Sequence, residues 1–270
     1  MIHPERIRPL NDRLVQRGRY VLYWMQASQR EHYNHALEYA IGRANQLDLP
    51  VVIFFGLTDR FPEANVRHYT FMLEGLRKTG EALRKRGLRL VVRLISPQEG
   101  AVMLSAEASL AVVDRGYLSI QRQWRARAAE QMRCPLVQVE SDVVVPVESV
   151  SPKKEYSAAT LRPKIHRRLN EFMKPLRRRT VRHPSTNLDL ESIGLDDIGA
   201  VVSRLKIDHG VAPSRPYAGG TGRARRRFNR FIYEHLDHFA DRRNDPSIDH
   251  LSGMSPYLHF GQISPLYLAL

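Results

Sequence analysis

Short apolar runs alternate with longer segments of helical periodicity along the first half of this 270-residue chain. Five runs rich in Val, Leu, Ile and Phe have the length and composition of strands buried on both faces, and they predict a parallel sheet: 20–25, 51–56, 89–95, 110–114 and 136–140. Three intervening segments carry apolar side chains at helical intervals, so they predict amphipathic helices: 31–47, 65–86 and 119–132.

This alternation predicts an α/β fold with a doubly wound, Rossmann-like parallel sheet over residues 19–145, preceded by an irregular polar arm. Ligands of such sheets bind beyond the carboxyl ends of the strands, so we expect a site in the loops after Met25, Gly56 and Asp114. The loop after the first strand reads MQASQR and lacks glycine. That composition argues against an ordinary dinucleotide-dependent dehydrogenase and against a P-loop kinase.

The pattern loosens after residue 145. Seven prolines between residues 146 and 216 indicate an interdomain linker with short helices over 146–222. A Gly-rich break at 219–222 then precedes a helical pattern over 223–239. We therefore predict that a second, all-helical domain begins at residue 223 and occupies 223–270.

Charge and composition narrow the function classes. The formal net charge is +14, and residues 151–230 hold 19 Lys and Arg against 7 Asp and Glu. This surplus favours a polyanionic partner such as nucleic acid, although a solvated basic surface has the same composition. The single cysteine, Cys134, excludes an internal disulfide and fits a packing role. The sequence has no apolar run long enough for a membrane span, and we expect a monomeric, cytoplasmic protein.

Other catalytic constellations are missing from the sequence. Its histidines form no HExxH motif, and His235 and His238 have no carboxylate partners that would complete a metal site, so we predict no bound metal. There is no GxSxG motif, and Cys134 has no neighbouring histidine. The residues alone therefore identify no catalytic group.

The most informative stretch is 243–264, which reads RNDPSIDHLSGMSPYLHFGQIS. A turn rich in Asn, Asp and Pro leads through small hydroxyl residues into an apolar run. Ser252 and Ser255 suit a helix N-cap, and Pro256 suits the first turn of a helix. The local chemistry fits a capped helix start and also fits a ligand-binding turn.

Several segments resemble the DNA photolyase family, especially its class II cyclobutane pyrimidine dimer enzymes. The family motif is close to RNDP, a spacer and LSPYLHFGQIS, and Met254 stands where the family usually has Leu. Near the N-terminus, YWM at 23–25, SQR at 28–30 and NHAL at 34–37 resemble the family's YWM, DQR-like turn and NWAL, with departures at Ser28 and His35. The segment 153–165 resembles the one with which class II photolyases leave their first domain.

The resemblance implies a cofactor and a set of site residues. It implies FAD, with a flavin-phosphate segment formed by Leu251, Ser252, Gly253, Met254 and Ser255, whose hydroxyl and backbone N–H groups suit a diphosphate. The family commonly has a tyrosine four residues before the motif arginine, and here that position is Phe239, which lacks the hydroxyl. The resemblance also implies room for an antenna chromophore, whose identity the residues do not specify.

The implied reaction is light-driven repair of cyclobutane pyrimidine dimers in DNA by electron transfer from reduced FAD. Two alternatives stay open: a cryptochrome-like flavoprotein photoreceptor, and an inactive, truncated remnant that binds nucleic acid. The chain ends at Leu270 inside an apolar run, and both tryptophans lie in the first predicted domain. Compared with members of this family, the chain is expected to be truncated at its C-terminus and to lack part of the active site.

Overall fold

A computed structural model describes residues 2–270. Its centre is a six-stranded sheet with the order β1-β6-β5-β2-β3-β4. The strands are β1 Ile7–Pro9, β2 Tyr20–Trp24, β3 Val51–Leu57, β4 Arg89–Leu94, β5 Ala108–Asp114 and β6 Leu136–Val139. Strands β2 to β6 are parallel, and the strand order reverses between β2 and β5. The predicted doubly wound α/β fold is confirmed, and the reversal point is where such sheets bind ligands.

The N-terminal arm contains a strand that the sequence did not predict. Ile7 pairs with Val139, so β1 joins the sheet antiparallel to β6. Pro9 is tolerated because β1 is an edge strand and needs hydrogen bonds on one side only. A three-residue strand with a proline has no sequence signal of its own, and the open edge of β6 determines this pairing.

Four helices cover the sheet: α1 His35–Leu47, α2 Val66–Lys85, α3 Pro97–Ser105 and α4 Ser119–Gln131. The helix predicted from residue 31 starts at His35, because the Asn34 side chain accepts the Leu37 N–H at 3.0 Å and caps it. Asn65 caps α2 in the same way, accepting the Arg67 N–H at 3.1 Å. Helix α3 was not predicted, since its nine residues carry a weak apolar pattern.

Side chains of the central strands alternate between two apolar layers. Val21, Tyr23 and Ile53 pack with α1 and α2 on one face of the sheet. Leu22 and Trp24 pack with α3 and α4 on the other. Trp24, the last residue of β2, is fully buried. Cys134 is also buried in the second layer, and desolvation raises the pKa of its thiol to about 11, which confirms the packing role.

Seven further helices follow in the described residues: α5 Val147–Val150, α6 Ala158–Phe172, α7 Ile198–Ser203, α8 Thr221–His235, α9 Phe239–Arg242, α10 Ser255–His259 and α11 Pro265–Ala269. The helix predicted over 223–239 is interrupted, because α8 ends at His235 and a 3-10 turn, Leu236–His238, separates it from α9. Within residues 2–270, the longer helices are too polar to be candidate membrane spans and the rest are too short.

The region between residues 146 and 222 does more than connect two parts of the chain. Its segment 185–193 covers the open edge of β4, where the Ile193 N–H donates to the carbonyl of Val92 at 2.8 Å. Earlier in the same region, the Arg178 guanidinium donates to the Glu31 carboxylate at 2.6 Å, and the backbone N–H of Arg179 donates to the Glu38 carboxylate at 2.6 Å. This region is therefore fixed to the sheet and to α1 at several points.

A third apolar cluster joins α2 to the C-terminal helices. It contains Phe71 of α2, Ala224 of α8, Met254, Tyr257 and Ile263. Phe71 and Tyr257 lie with ring centroids 5.1 Å apart. Burial of this cluster holds the 251–264 stretch against the sheet domain.

Candidate functional site

A cavity of about 510 Å³ opens at the carboxyl edge of the sheet. Met25, Thr58 and Gly116 line it, one from each of the loops that follow β2, β3 and β5. These are the loops in which the sequence predicted a ligand site, and the strand order reverses between β2 and β5. The wall is largely aromatic, with Phe55, Phe61, Tyr117, Trp124 and Phe260. Such a surface suits a planar, mostly apolar ligand.

Asp114 shapes the loop after β2. Its carboxylate accepts the backbone N–H groups of Gln26 at 2.9 Å and Ala27 at 2.6 Å, and the Tyr23 hydroxyl at 2.8 Å. Complete burial raises the pKa of this carboxyl, and the three hydrogen bonds oppose that shift. The loop is therefore fixed by one side chain at the end of β5, without the glycines of a phosphate-binding loop.

Tyr117 is fixed at the wall of the cavity by a carboxylate. Its hydroxyl donates to Glu140 at 2.6 Å, and the Arg115 guanidinium stacks on its ring at 5.4 Å from the centroid. Desolvation and the neighbouring Glu140 charge raise the pKa of Tyr117, so it stays a neutral donor at physiological pH.

A fully buried arginine connects this cavity to the C-terminal stretch. Arg30 donates through Nη1 to Asp142, a cavity residue, at 2.5 Å and to the Gly261 carbonyl at 2.9 Å. Its Nη2 donates to the Ser141 carbonyl at 3.0 Å. Arg30 belongs to the SQR motif, but the sequence does not predict its role, since Ser141, Asp142 and Gly261 are more than 100 residues away along the chain.

Gln262 makes the second connection. Its amide nitrogen donates to the Phe71 carbonyl at 3.1 Å, while its amide oxygen accepts the Gly220 N–H at 2.6 Å. Its own carbonyl accepts the Thr221 hydroxyl at 2.7 Å. Gln262 therefore ties α2, the Gly-rich turn and the start of α8 together beneath the 251–255 segment.

The five residues of the predicted flavin-phosphate segment lie together beside α8. Leu251 and Ser255 are exposed, Ser252 and Gly253 are half-buried, and Met254 is buried in the third apolar cluster. The Ser252 hydroxyl oxygen accepts the Met254 N–H at 3.4 Å. Neither serine is the N-cap of α10: Met254 holds that position and provides no side-chain cap. The cap prediction is wrong, whereas Pro256 does lie in the first turn.

Gly253 lies directly against a side chain of α8. Its φ of 63° is left-handed, and an added Cβ would overlap the guanidinium of Arg227. Arg227 in turn stacks on the Tyr217 ring at 4.4 Å from the centroid. A fixed guanidinium therefore lies directly beside exposed backbone and hydroxyl groups, a combination that can bind phosphate oxygens. The glycine at the centre of the LSGMS sequence is the feature from which this close contact could have been predicted.

Phe239 lies in a separate apolar contact. Its ring packs edge-on against Phe231 at 5.3 Å between centroids, and the Arg243 guanidinium lies over the Phe239 ring at 5.4 Å from the centroid. The side chain is thus used for packing between α8 and α9. The structure groups it with these two residues, while Gly253 of the 251–255 segment lies against Arg227.

The family model for DNA photolyase matches residues 21–182. The chain belongs to the DNA photolyase family. A deoxyribodipyrimidine photo-lyase of Methanothermobacter thermautotrophicus is 52% identical over 271 residues, covering 100% of this chain and 60% of the relative. One of Potorous tridactylus is 33% identical over 248 residues, covering 90% and 46%. The chain thus spans about half to three fifths of the length of these relatives.

Solved structures of photolyases share the fold. A bacterial class III photolyase from Agrobacterium tumefaciens superposes with a TM-score of 0.67 at 17% identity, over 94% of this chain and 52% of that one. An archaeal photolyase from Sulfolobus tokodaii, described with two FAD molecules, gives 0.68 at 18% identity, over 92% and 53%. These likenesses confirm the family's arrangement of a parallel α/β sheet followed by helices.

Proposed function

We propose that the protein repairs cyclobutane pyrimidine dimers in DNA in a light-driven reaction that uses FAD. The observation that carries the proposal is the 52% identity to a deoxyribodipyrimidine photo-lyase, which extends over the whole of this chain. The aligned length includes the sheet domain, the basic residues 151–230 and the 243–264 stretch. Because the relatives are longer, this chain accounts for part of the machinery that they contain.

We assign the diphosphate of FAD to the segment 251–255. The residues present fit an anionic group, because the absence of a Cβ at Gly253 lets the Arg227 guanidinium lie directly against this segment. The Ser252 and Ser255 hydroxyls would donate to phosphate oxygens, while Met254 anchors the segment by burial. Leu251 would flank the segment, and Phe239 would support it through the packing of α9. When bound, FAD would supply the light-driven electron transfer that splits the dimer.

We assign the antenna chromophore to the cavity of about 510 Å³ at the carboxyl edge of the sheet. Its size is within the range of ligand pockets, roughly 300–1,000 Å³, and its aromatic wall suits a planar ring system. Tyr117, held neutral beside Glu140, would orient the chromophore as a hydrogen-bonding group or a stacking surface. The Arg30 link to Gly261 fixes the position of this cavity relative to the flavin segment.

For DNA we propose the exposed basic surface of α8. Arg223 and Arg226 lie exposed on its first two turns, close to the 251–255 segment through Arg227. Guanidinium groups in such a position would neutralise phosphates around a flipped dimer. We also propose the domain division 19–145, 146–222 and 223–270, a class II membership, and a monomeric, cytoplasmic protein.

The test combines a spectrum with a repair assay. The purified protein should carry, or take up, FAD with its characteristic absorption, and should bind a dimer-containing oligonucleotide more tightly than the undamaged one. Blue light should then convert dimers to pyrimidines. Bound flavin without repair would favour a photoreceptor, and DNA binding without flavin would favour a nucleic-acid-binding module.

A further inference from the structure

A second cavity, of about 390 Å³, lies at the opposite end of the sheet from the first. It is bounded by the C-terminal half of α2, by the N-terminal half of β4 and by the segment 186–196 that covers the edge of β4. The two cavities are lined by different residues. No function proposed above uses this second cavity.

Three arginines line it: Arg77, Arg84 and Arg89. Two carboxylates are also present, Glu81 and Asp196. The Glu81 carboxylate is already bound by Lys78, whose Nζ lies 2.9 and 3.0 Å from its two oxygens. The cavity therefore keeps a positive surplus in a concave, partly enclosed place, where charge acts more strongly than on an open surface.

Two of the guanidinium groups are fixed by backbone carbonyls. Arg77 donates through Nη1 to the Asp196 carbonyl at 3.3 Å, and Arg89 donates through Nη2 to the Leu190 carbonyl at 2.6 Å. Their Nε–H groups, by contrast, are buried and have no acceptor within residues 2–270. The cavity wall therefore holds two guanidinium groups at fixed positions.

We propose that this cavity binds the phosphate group of a small molecule, such as a phosphate monoester or a nucleotide. A phosphate offers several oxygen acceptors, and it is the partner that fixed arginine side chains bind best. Arg84, which is exposed, would close over the ligand from α2. The volume admits a phosphate with an attached group of nucleoside size.

Calorimetric titration of the 270-residue chain with inorganic phosphate, pyrophosphate and ADP tests the proposal. We expect binding of at least one probe, weakened about tenfold or more by Arg77→Gln and by Arg84→Gln, as is typical when a charge-assisted hydrogen bond is removed. Arg84→Gln changes an exposed side chain, so it tests the site even if Arg77→Gln fails to fold.

One control variant, Arg13→Gln, removes an exposed arginine of the N-terminal arm and should bind the probes as the unmodified protein does. The proposal is overturned if none of the probes binds, or if Arg84→Gln leaves binding unchanged. It is also overturned if Arg77→Gln and Arg84→Gln weaken binding of a duplex oligonucleotide and spare the small phosphates.

Discussion

Arg30 Nη1 and the carbonyl oxygen of Gly261 lie 2.9 Å apart, although 231 residues separate them in the chain. The same nitrogen bonds to Asp142 at the wall of the aromatic cavity. One buried guanidinium therefore joins the loop after β2, the region after β6 and the C-terminal stretch. The relative position of the two proposed chromophore sites depends on this contact.

Replacing Arg30 by Gln should destabilise the protein strongly. The change leaves the Asp142 carboxylate and the Gly261 carbonyl without their donor in a buried place, and breaking a buried ion pair in this way costs about 3–5 kcal/mol. Urea unfolding followed by circular dichroism measures the free energy. The matched control is Arg17→Gln, an exposed arginine of the N-terminal arm, for which we expect a change below about 0.5 kcal/mol. Equal effects of the two substitutions would contradict the assignment.

Gly261→Ala should loosen the C-terminal stretch from the sheet. Gly261 has φ 60°, and an added Cβ would overlap the backbone carbonyl of Ala27, which cannot move aside as a side chain can. The left-handed conformation alone costs about 1–2 kcal/mol in an alanine. Limited proteolysis should cut the variant faster between residues 240 and 260. Gly194→Ala is the control, because its Cβ would meet no atom closer than 3.8 Å.

Stability should fall as the pH drops below about 6.5, and His35 should contribute to the decrease. Desolvation and the nearby Arg6 and Arg30 charges hold the pKa of His35 well below its usual value. The folded state thus favours the neutral imidazole, so the stabilisation is present above the unfolded pKa and is lost as the pH falls towards the folded pKa. For each additional proton that the unfolded state binds, the free energy of unfolding changes by about 1.4 kcal/mol per pH unit.

The measurement is the free energy of unfolding at pH 7 and at pH 5 for the unmodified protein and for His35→Gln. The variant should lose less stability between the two pH values, whatever its stability at pH 7. His166→Gln, at an exposed histidine, should keep the full pH dependence. An identical pH dependence for His35→Gln and the unmodified protein would show that another group titrates.

Much of the fold could be predicted from the sequence because local patterns specify it. Val21, Tyr23 and Leu22 alternate between the two apolar layers, and Asn34 and Asn65 cap helices through contacts within three residues. Strand β1 and the edge segment at Ile193 could not be predicted, since partners far along the chain determine them.

The candidate site, like the fold, could be predicted only in part from the sequence. Residues 251–255 stand out as a motif, and the structure places them together beside Arg227. The aromatic wall of the first cavity was not predicted, because Phe61, Tyr117 and Trp124 come from three separate segments. Residues from separate loops meet only once the sheet order is known.

Ser252→Ala should weaken FAD binding about tenfold if Ser252 donates to a phosphate oxygen, the usual cost of losing a hydrogen bond to a charged group. Gly253→Ala should weaken it further, because the left-handed φ is strained and the Cβ would displace Arg227. Fluorescence titration with FAD measures both. Ser203→Ala, at an exposed serine of α7, is the control, and unchanged affinity in both site variants would place the diphosphate elsewhere.

A planar chromophore in the first cavity should quench Trp124 emission selectively. Trp124 lines the cavity, whereas Trp24 is fully buried in the apolar layer beneath the sheet. A Trp24→Phe variant isolates the Trp124 signal, and a Trp124→Phe variant isolates the control signal. During titration with the chromophore, tryptophan emission should be quenched in the Trp24→Phe variant and only weakly quenched in the Trp124→Phe variant. Equal quenching of both would contradict binding in this cavity.

The most direct test of the central claim is the yield of repaired dimers after removal and restoration of FAD. The protein is freed of flavin, incubated with dimer-containing DNA with or without reduced FAD, and divided between blue light and darkness. We predict that dimers are lost only where FAD and light are both present. Dimer loss in the dark, or the same loss without FAD, would contradict the proposal, and so would intact dimers under light with FAD bound.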